Sequence, residues 1–249
     1  MNPILEVNNL SKTYAGGGRT IEALKDVSFQ VFPGEIFGVV GESGSGKSTL
    51  LRLISGLESG DSGEIWLQGR QLSLKRSREE YRAMQMIFQD AKASFHPRRT
   101  VADSIRDAVH ALRGRQAETD ICSLAKMVGL APSLADSFPR ELSGGQCQRF
   151  AIARAVAAEP EVLLCDEITS ALDVSSQAQI LLLLRDICVQ RGMAAVFVSH
   201  DLAVVSSLCS RVMVMRNGSV REDGDIHQLL EWPKDAHTKE LLSSVMELR

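Results

Sequence analysis

The sequence predicts an α/β fold built around a phosphate-binding loop, with a small antiparallel β layer at the N-terminus and a helical subdomain inserted between sheet strands. Three observations carry this. The stretch Gly41-Glu42-Ser43-Gly44-Ser45-Gly46-Lys47-Ser48-Thr49 fits the P-loop pattern G-x-x-x-x-G-K-[ST], with an apolar run at 35–40 before it and a helix-like Leu50-Leu51-Arg52-Leu53-Ile54 after it. Further short apolar runs at 162–167 and 194–198 read as buried strands. Between about residues 91 and 160 the strand signals vanish and helical spacing takes over, broken by Pro132 and Pro139. The first of these observations makes the fold a P-loop NTPase with a RecA-like core sheet. Its glycines let the backbone curl so that several N–H groups point at one anion, and the following helix start adds partial positive charge. Lys47 is placed to reach the β- and γ-phosphates and the Ser48 hydroxyl to ligate Mg²⁺. Nucleotide binding is therefore expected of residues 41–49.

Composition sets the frame. A chain of 249 residues with 44% hydrophobic and 24% charged residues has material for one large domain or a domain with an insert. A net charge of −3 gives no bulk attraction to nucleic acid or to an anionic membrane. No apolar run approaches the roughly 18 residues of a membrane span, and Met1 to Glu6 shows no signal-peptide pattern. The five cysteines are widely spaced without a C-x-x-C pair, so free thiols in a reducing cytosol are expected, with no zinc site or cluster.

In chain order, residues 4–7 read as a strand, Gly16-Gly17-Gly18 as a turn and 21–31 as a second extended stretch, which together make the β layer. Tyr14 fits two roles equally, an adenine-stacking ring or a half-buried strand tyrosine. After the P-loop helix, residues 64–67 form a strand, 77–82 a short helix and 84–88 an apolar strand ending at Gln89. In open α/β sheets ligands sit beyond the carboxyl ends of the strands. Gln89 is placed there to face Mg²⁺ or the attacking water.

Helices are expected over 101–113 and 118–128. The insert closes on Leu142-Ser143-Gly144-Gly145-Gln146, which opens a helix running to about Ala158. Ser143 is a plausible N-cap, and its hydroxyl with the amides of Gly144 and Gly145 makes a second anion-binding helix start. The strand 162–167 ends in Asp166, placed to hold Mg²⁺, and Glu167, placed to orient or deprotonate a water. Asp173 is a candidate cap for a core-packed helix through Ile180, Leu184 and Cys188. His200 follows the strand 194–198 and is a candidate γ-phosphate contact. Residues 211–215 and 219–221 form a hairpin around Asn217-Gly218, and the tail from Asp225 is helical.

The P-loop, Gln89, the 142–146 signature, Asp166-Glu167 and His200 occur in the order found in the ATP-binding cassette (ABC) ATPases, which the chain resembles over nearly its whole length. The resemblance implies an ATP-hydrolysing cassette, with core at 1–90 and 160–230, helical insert at 91–159 and tail at 231–249. It implies a head-to-tail dimer with an identical or sister ATPase, each ATP lying between one subunit's P-loop and the other's Ser143, Gly144, Gly145 and Gln146. It makes Tyr14 the adenine-stacking residue, Glu167 the general base, and Lys47, Gln89 and His200 further catalytic groups. Ser48, Gln89 and Asp166 become the Mg²⁺ set.

A finer resemblance is to peptide and nickel importer ATPases. Phe88 to Val101 is similar to F-Q-D-P-x-x-S-L-N-P-R-x-T-[VI], 166–173 to D-E-P-T-S-A-L-D, and 236–242 to P-Y-T-[KR]-x-L-L. That implies an importer subunit on the cytoplasmic face of the plasma or inner membrane, peripheral to two permease subunits and served indirectly by a substrate-binding protein. The short tail without a cysteine cluster tilts toward nickel or metal chelates. An export system, or a soluble complex of the carbon–phosphorus lyase type, is the alternative. Two residues depart from the pattern. Ile168 replaces the usual proline beside the base, which loosens that turn. Cys147, in the first turn of the signature helix, is expected to be a thiol of lowered pKa whose modification inhibits hydrolysis.

Overall fold

The computed structural model describes residues 2–16 and 19–246, so Gly17 and Gly18 of the expected first turn lie outside the described residues. Two sheets organise the chain. The larger has strand order β10-β9-β3-β8-β7-β6, with β3 at Ile36–Val40, β6 at Met84–Ile87, β7 at Val162–Asp166, β8 at Ala194–Ser199, β9 at Arg211–Arg216 and β10 at Ser219–Asp225. Every neighbouring pair is parallel except the β9–β10 hairpin. That hairpin turns through Asn217 and Gly218, both at positive φ, as a two-residue turn of this handedness requires. The smaller, antiparallel sheet runs β2-β1-β4-β5, from β1 (Leu5–Gly16), β2 (Arg19–Val31), β4 (Ser62–Leu67) and β5 (Arg70–Gln71).

The apolar runs of the large sheet are buried on both sides, as parallel strands are. Alternate residues divide between two cores. Phe37, Val39, Leu164, Val196, Val198 and Met213 face the β layer and α1 (Lys47–Ser55). Ile36, Val40, Leu163, Cys165, Phe197 and Val214 face α3 (Val101–Arg113), α5 (Gly144–Ala157), α6 (Val174–Arg191) and α7 (Leu202–Leu208). Between β6 and β7, which pair directly, lie α3, α4 (Ile121–Met127), two short 3-10 turns and α5. Earlier, α2 (Arg78–Ala83) leads into β6; at the end, α8 (Ile226–Glu231) and α9 (Ala236–Met246) follow the hairpin.

Two elements differ from the sequence expectation. Strand β1 is 12 residues long rather than a short run at 4–7, with register shifts between Val7 and Thr13. Asn9 sits there at φ 50° and donates its N–H to Ser28 Oγ at 2.8 Å. Such bulges break the two-residue alternation by which a strand is read from sequence. Helix α7 is the second. It is seven residues long, and its signal is local: Asp201 accepts from the N–H groups of Ala203 and Val204.

Helix α7 packs unusually close to the sheet at Gly38. A Cβ there would sit 2.4 Å from Val205 Cγ1 and 3.2 Å from Cys209 Sγ. Gly38→Ala therefore overpacks the core, at a cost of roughly 2 kcal/mol. The expected outcome is a lower midpoint in thermal unfolding, recovered in large part by adding Val205→Ala; if the double variant unfolds no later than the single one, the contact is not what limits this site.

Candidate functional site

The carboxyl ends of β3, β6, β7 and β8 deliver the candidate residues to one edge of the large sheet. Strand β3 runs into the P-loop, and α1 begins at Lys47. Its N-cap, Gly46, stands at φ 105° and offers no side-chain bond, so the first amides of α1 have no capping partner. A side chain at Gly46 would also put a Cβ 2.4 Å from Ala23 O. Glycine is thus required there both by conformation and by space, and an uncapped helix start of this kind has the N–H groups and dipole to hold an anion. A cavity of about 490 Å³ opens beside it, lined by Ser43, Gly44, Lys47, Ser48, Thr49, Gln89 and Glu167 among others.

Lys47 is 4% exposed. Its Nζ donates to Gly41 O at 2.7 Å and Glu42 O at 2.9 Å and lies 3.7 Å from Glu167 Oε1. Burial pushes its pKa down, and the Glu167 and Asp166 carboxylates oppose that shift. Ser48 Oγ donates to Asp166 Oδ1 at 2.9 Å, although the two are 118 residues apart in sequence. Burial raises the pKa of Asp166, with the Ser48 bond opposing. Glu167 collects the remaining groups: Gln89 Nε2 lies 3.5 Å and His200 Nδ1 3.3 Å from its Oε2. Gln89 also donates to Ser170 Oγ at 3.1 Å. Two hard oxygens, the part-buried Ser48 Oγ and the buried Asp166 Oδ1, are the donor chemistry that Mg²⁺ prefers.

The backbone at Glu167 is itself unusual. Its φ is 45°, a region a non-glycine residue enters at a cost of about 1–3 kcal/mol. The conformation is held on both sides: Glu167 N–H donates to Val198 O at 3.1 Å, and Glu167 O accepts from Ser170 N at 3.1 Å and Ser170 Oγ at 2.9 Å. Ile168, next in line, is 2% exposed and belongs to the core on the α5 side of the sheet.

With this geometry in view, comparison with known proteins is direct. The ABC transporter family model matches residues 24–170. The chain belongs to the ABC transporter family. It is 41% identical to the oligopeptide transport ATP-binding protein OppF of Haemophilus influenzae, over 97% of this chain and 78% of the relative. It is 40% identical to OppF of Bacillus subtilis, over 97% and 82%. Among solved structures, the ATP-binding cassette MJ0796 bound to ADP and Pi in a dimeric, post-hydrolysis state superposes with a TM-score of 0.79 at 29% identity, covering 89% of this chain and 98% of that one. The cassette cbiO1 of Clostridium perfringens, part of the transporter complex cbiONQ, gives 0.79 at 25% identity, covering 100% and 96%.

Not every predicted residue of this ABC ATPase joins the cluster. Ser143 caps α5, accepting from Gln146 N at 3.2 Å while its own N–H donates to Gln146 Oε1 at 2.9 Å. Ser143, Gly144, Gly145 and Gln146 do not line the P-loop cavity. Tyr14 does not line it either. Its hydroxyl donates to Glu58, and Lys12 Nζ lies 5.5 Å from its ring centre. The expectation for Cys147 is overturned. The thiol is fully buried, donates to Pro139 O at 3.4 Å, and is pushed up in pKa by desolvation rather than lowered by the helix start.

One residue that the sequence reading passed over is Arg154. It reaches from α5 to the segment after Gln89, donating to Ser94 O at 2.5 Å and Ser94 Oγ at 3.0 Å with its guanidinium 4.5 Å from the Phe95 ring centre. Burial brings its pKa down to about 10. An arginine in an apolar helix, after a signature helix start, was the available signal.

Two outcomes follow from the burial of these groups. Because its folded pKa is raised, ionised Asp166 costs stability above that pKa, and the cost disappears as pH falls through it. Asp166→Asn keeps an acceptor for Ser48 and removes the charge, so it should raise the unfolding midpoint by a few degrees at pH 7 and cut Mg²⁺-dependent hydrolysis roughly 100-fold or more; a lowered midpoint would contradict it. For Cys147, alkylation of the native chain followed by peptide mapping should leave the thiol unmodified until denaturant is added.

Proposed function

We propose that this chain is the ATP-hydrolysing subunit of an importer for peptides, acting in a head-to-tail pair with an identical or sister ATPase. The observation that carries the catalytic part is the convergence of Lys47, Gln89 and His200 on one carboxylate, Glu167, beside an uncapped helix start. ATP binds with its phosphates on the amides of residues 44–48, and Lys47 turns from Gly41 O and Glu42 O toward the β- and γ-oxygens. Glu167 orients the attacking water and takes its proton, and Gln89 and His200 hold the carboxylate and the water in line. Ser48 and Asp166, with Gln89 lining the same cavity as Ser48, would hold Mg²⁺, which would supply positive charge against the phosphate oxygens. Tyr14 offers its ring to adenine once it swings clear of Glu58.

The capped start of α5 does not line the cavity beside its own P-loop. It completes the site of the opposing subunit: Ser143 Oγ keeps its proton free to donate to the γ-phosphate, with the amides of Gly144 and Gly145 beside it and Gln146 fixing the cap. ATP thereby closes the pair, and hydrolysis reopens it. MJ0796 in a dimeric ADP- and Pi-bound state supports this cycle.

The importer part rests on the oligopeptide transport relatives and on a groove of about 430 Å³ between the core and the insert. Leu57, Tyr81, Phe88, His96 and Asp107 border it, and Leu57, Tyr81 and Phe88 are exposed. It suits a short cytoplasmic helix from each permease. No helix among the described residues is long and apolar enough to cross a membrane. Docking on those permeases would hold the chain at the cytoplasmic face. A nickel or metal-chelate cargo rests on tail length alone, and the relatives named above favour peptides.

Glu167→Gln should slow hydrolysis roughly 100-fold or more and trap the closed pair. Tagged Glu167→Gln chain, drawn from detergent-solubilised membranes with MgATP, is expected to bring down two multi-span permeases; recovery with soluble enzymes alone would end the transport reading and leave the ATPase standing.

A further inference from the structure

Gln148 lies in the second turn of α5 and is 3% exposed, yet its side-chain Nε2 has no hydrogen-bond partner. A buried amide donor left unmade is costly, and such groups persist where another state of the molecule uses them. Gln148 borders a cavity of about 370 Å³ whose other walls include Gln89, Asp90, Gly144, Ile168 and Leu172. These residues come from three segments: the loop after β6, the start of α5 and the turn after Glu167. Of the lining from the loop after β6, Gln89 is already committed elsewhere, its amide facing Glu167 and Ser170. Asp90 is the carboxylate of that lining. Its Oδ1 accepts from Ala93 N at 2.9 Å, which leaves a second oxygen. Helix α5 is meanwhile fastened to the far end of the same loop through Arg154 and Ser94. Among the described residues no hydrogen bond ties the near end to α5, and both line the cavity.

We propose that Gln148 is a positioning residue that donates to the Asp90 carboxylate when ATP-driven closure collapses this cavity, so that the signature helix and the Gln89 loop move as one body. The bond is charge-assisted and forms in a site that closure dries, so it favours the closed state over the open one. The inference rests on the two-subunit ATP sandwich set out under the proposed function.

The test is a double-mutant cycle on the full chain. Gln148→Met keeps the volume and removes the unpartnered donor. Asp90→Asn keeps the Ala93 bond and puts an amide hydrogen where the second oxygen was. Expected for Gln148→Met are an unfolding midpoint at or above that of the wild type, kcat for ATP lower by about five- to tenfold, the worth of one hydrogen bond, and KM within about twofold. A purely structural glutamine would lower the midpoint instead. Asp90→Asn should show a similar kcat, and the double variant should be no slower than the slower single one. Multiplying losses, an unchanged kcat, or a lowered midpoint in Gln148→Met would each overturn the proposal. ATP-induced pairing of the Glu167→Gln chain, read by size-exclusion chromatography, is measured alongside: if it pairs and the cycle shows no coupling, only this inference falls, whereas failure to pair removes the sandwich and the inference with it.

Discussion

A buried ammonium is the constraint on which the site depends. Lys47 sits at the base of the P-loop almost without solvent, and an unpaired charge there would be too costly to keep. Two main-chain carbonyls of its own loop and the Glu167 carboxylate hold it. The loop must curl to present those carbonyls, which demands Gly46 at positive φ; the carboxylate must arrive from a strand two places away in the sheet, which demands the order β3-β8-β7. The contacts that hold Lys47 are ones that a phosphate group could replace.

Placement comes from the sheet, but orientation comes from backbone strain and long side chains. Strand β7 brings Asp166 and Glu167 to the edge as neighbours that ought to point to opposite faces. The left-handed turn at Glu167 changes that, sending Asp166 to Ser48 and Glu167 to Lys47, Gln89 and His200. Two adjacent acids thereby take separate sets of partners. Arg154 does similar work across the subdomain boundary. Its buried fork fixes the loop leaving β6 to a helix that belongs to the insert.

Much of this was legible in the sequence because its determinants are local. The P-loop pattern, the five- and six-residue apolar strands and the caps at Ser143 and Asp173 are written in consecutive residues, and the structure places each of them. What could not be read depends on relations between distant residues. The bulges of β1 follow from Asn9 meeting Ser28. Cys147 looked like a thiol tuned by a helix start, but it is buried in the core beside the turn at Pro139, and desolvation raises its pKa. Nothing in Asp-Glu-Ile announces positive φ; a proline at 168 would have hinted at a special turn, and isoleucine conceals it. Tyr14 was ambiguous in sequence and remains engaged with Glu58 in the structure.

Strand β3 has a further consequence, for biogenesis. Its two sheet neighbours are β8 and β9, and Ile36 pairs in register with Ala195, 159 positions later. At ribosomal speeds of roughly 5–20 residues per second, the fully apolar β3 waits on the order of ten to thirty seconds for the segment that will cover its edge. In that interval the nascent chain exposes a strand with both edges open, the kind of surface that recruits chaperones or other chains. The sequence order that gives the finished cassette its phosphate loop also makes β3 the first strand of the large sheet to be synthesised and among the last of them to be paired.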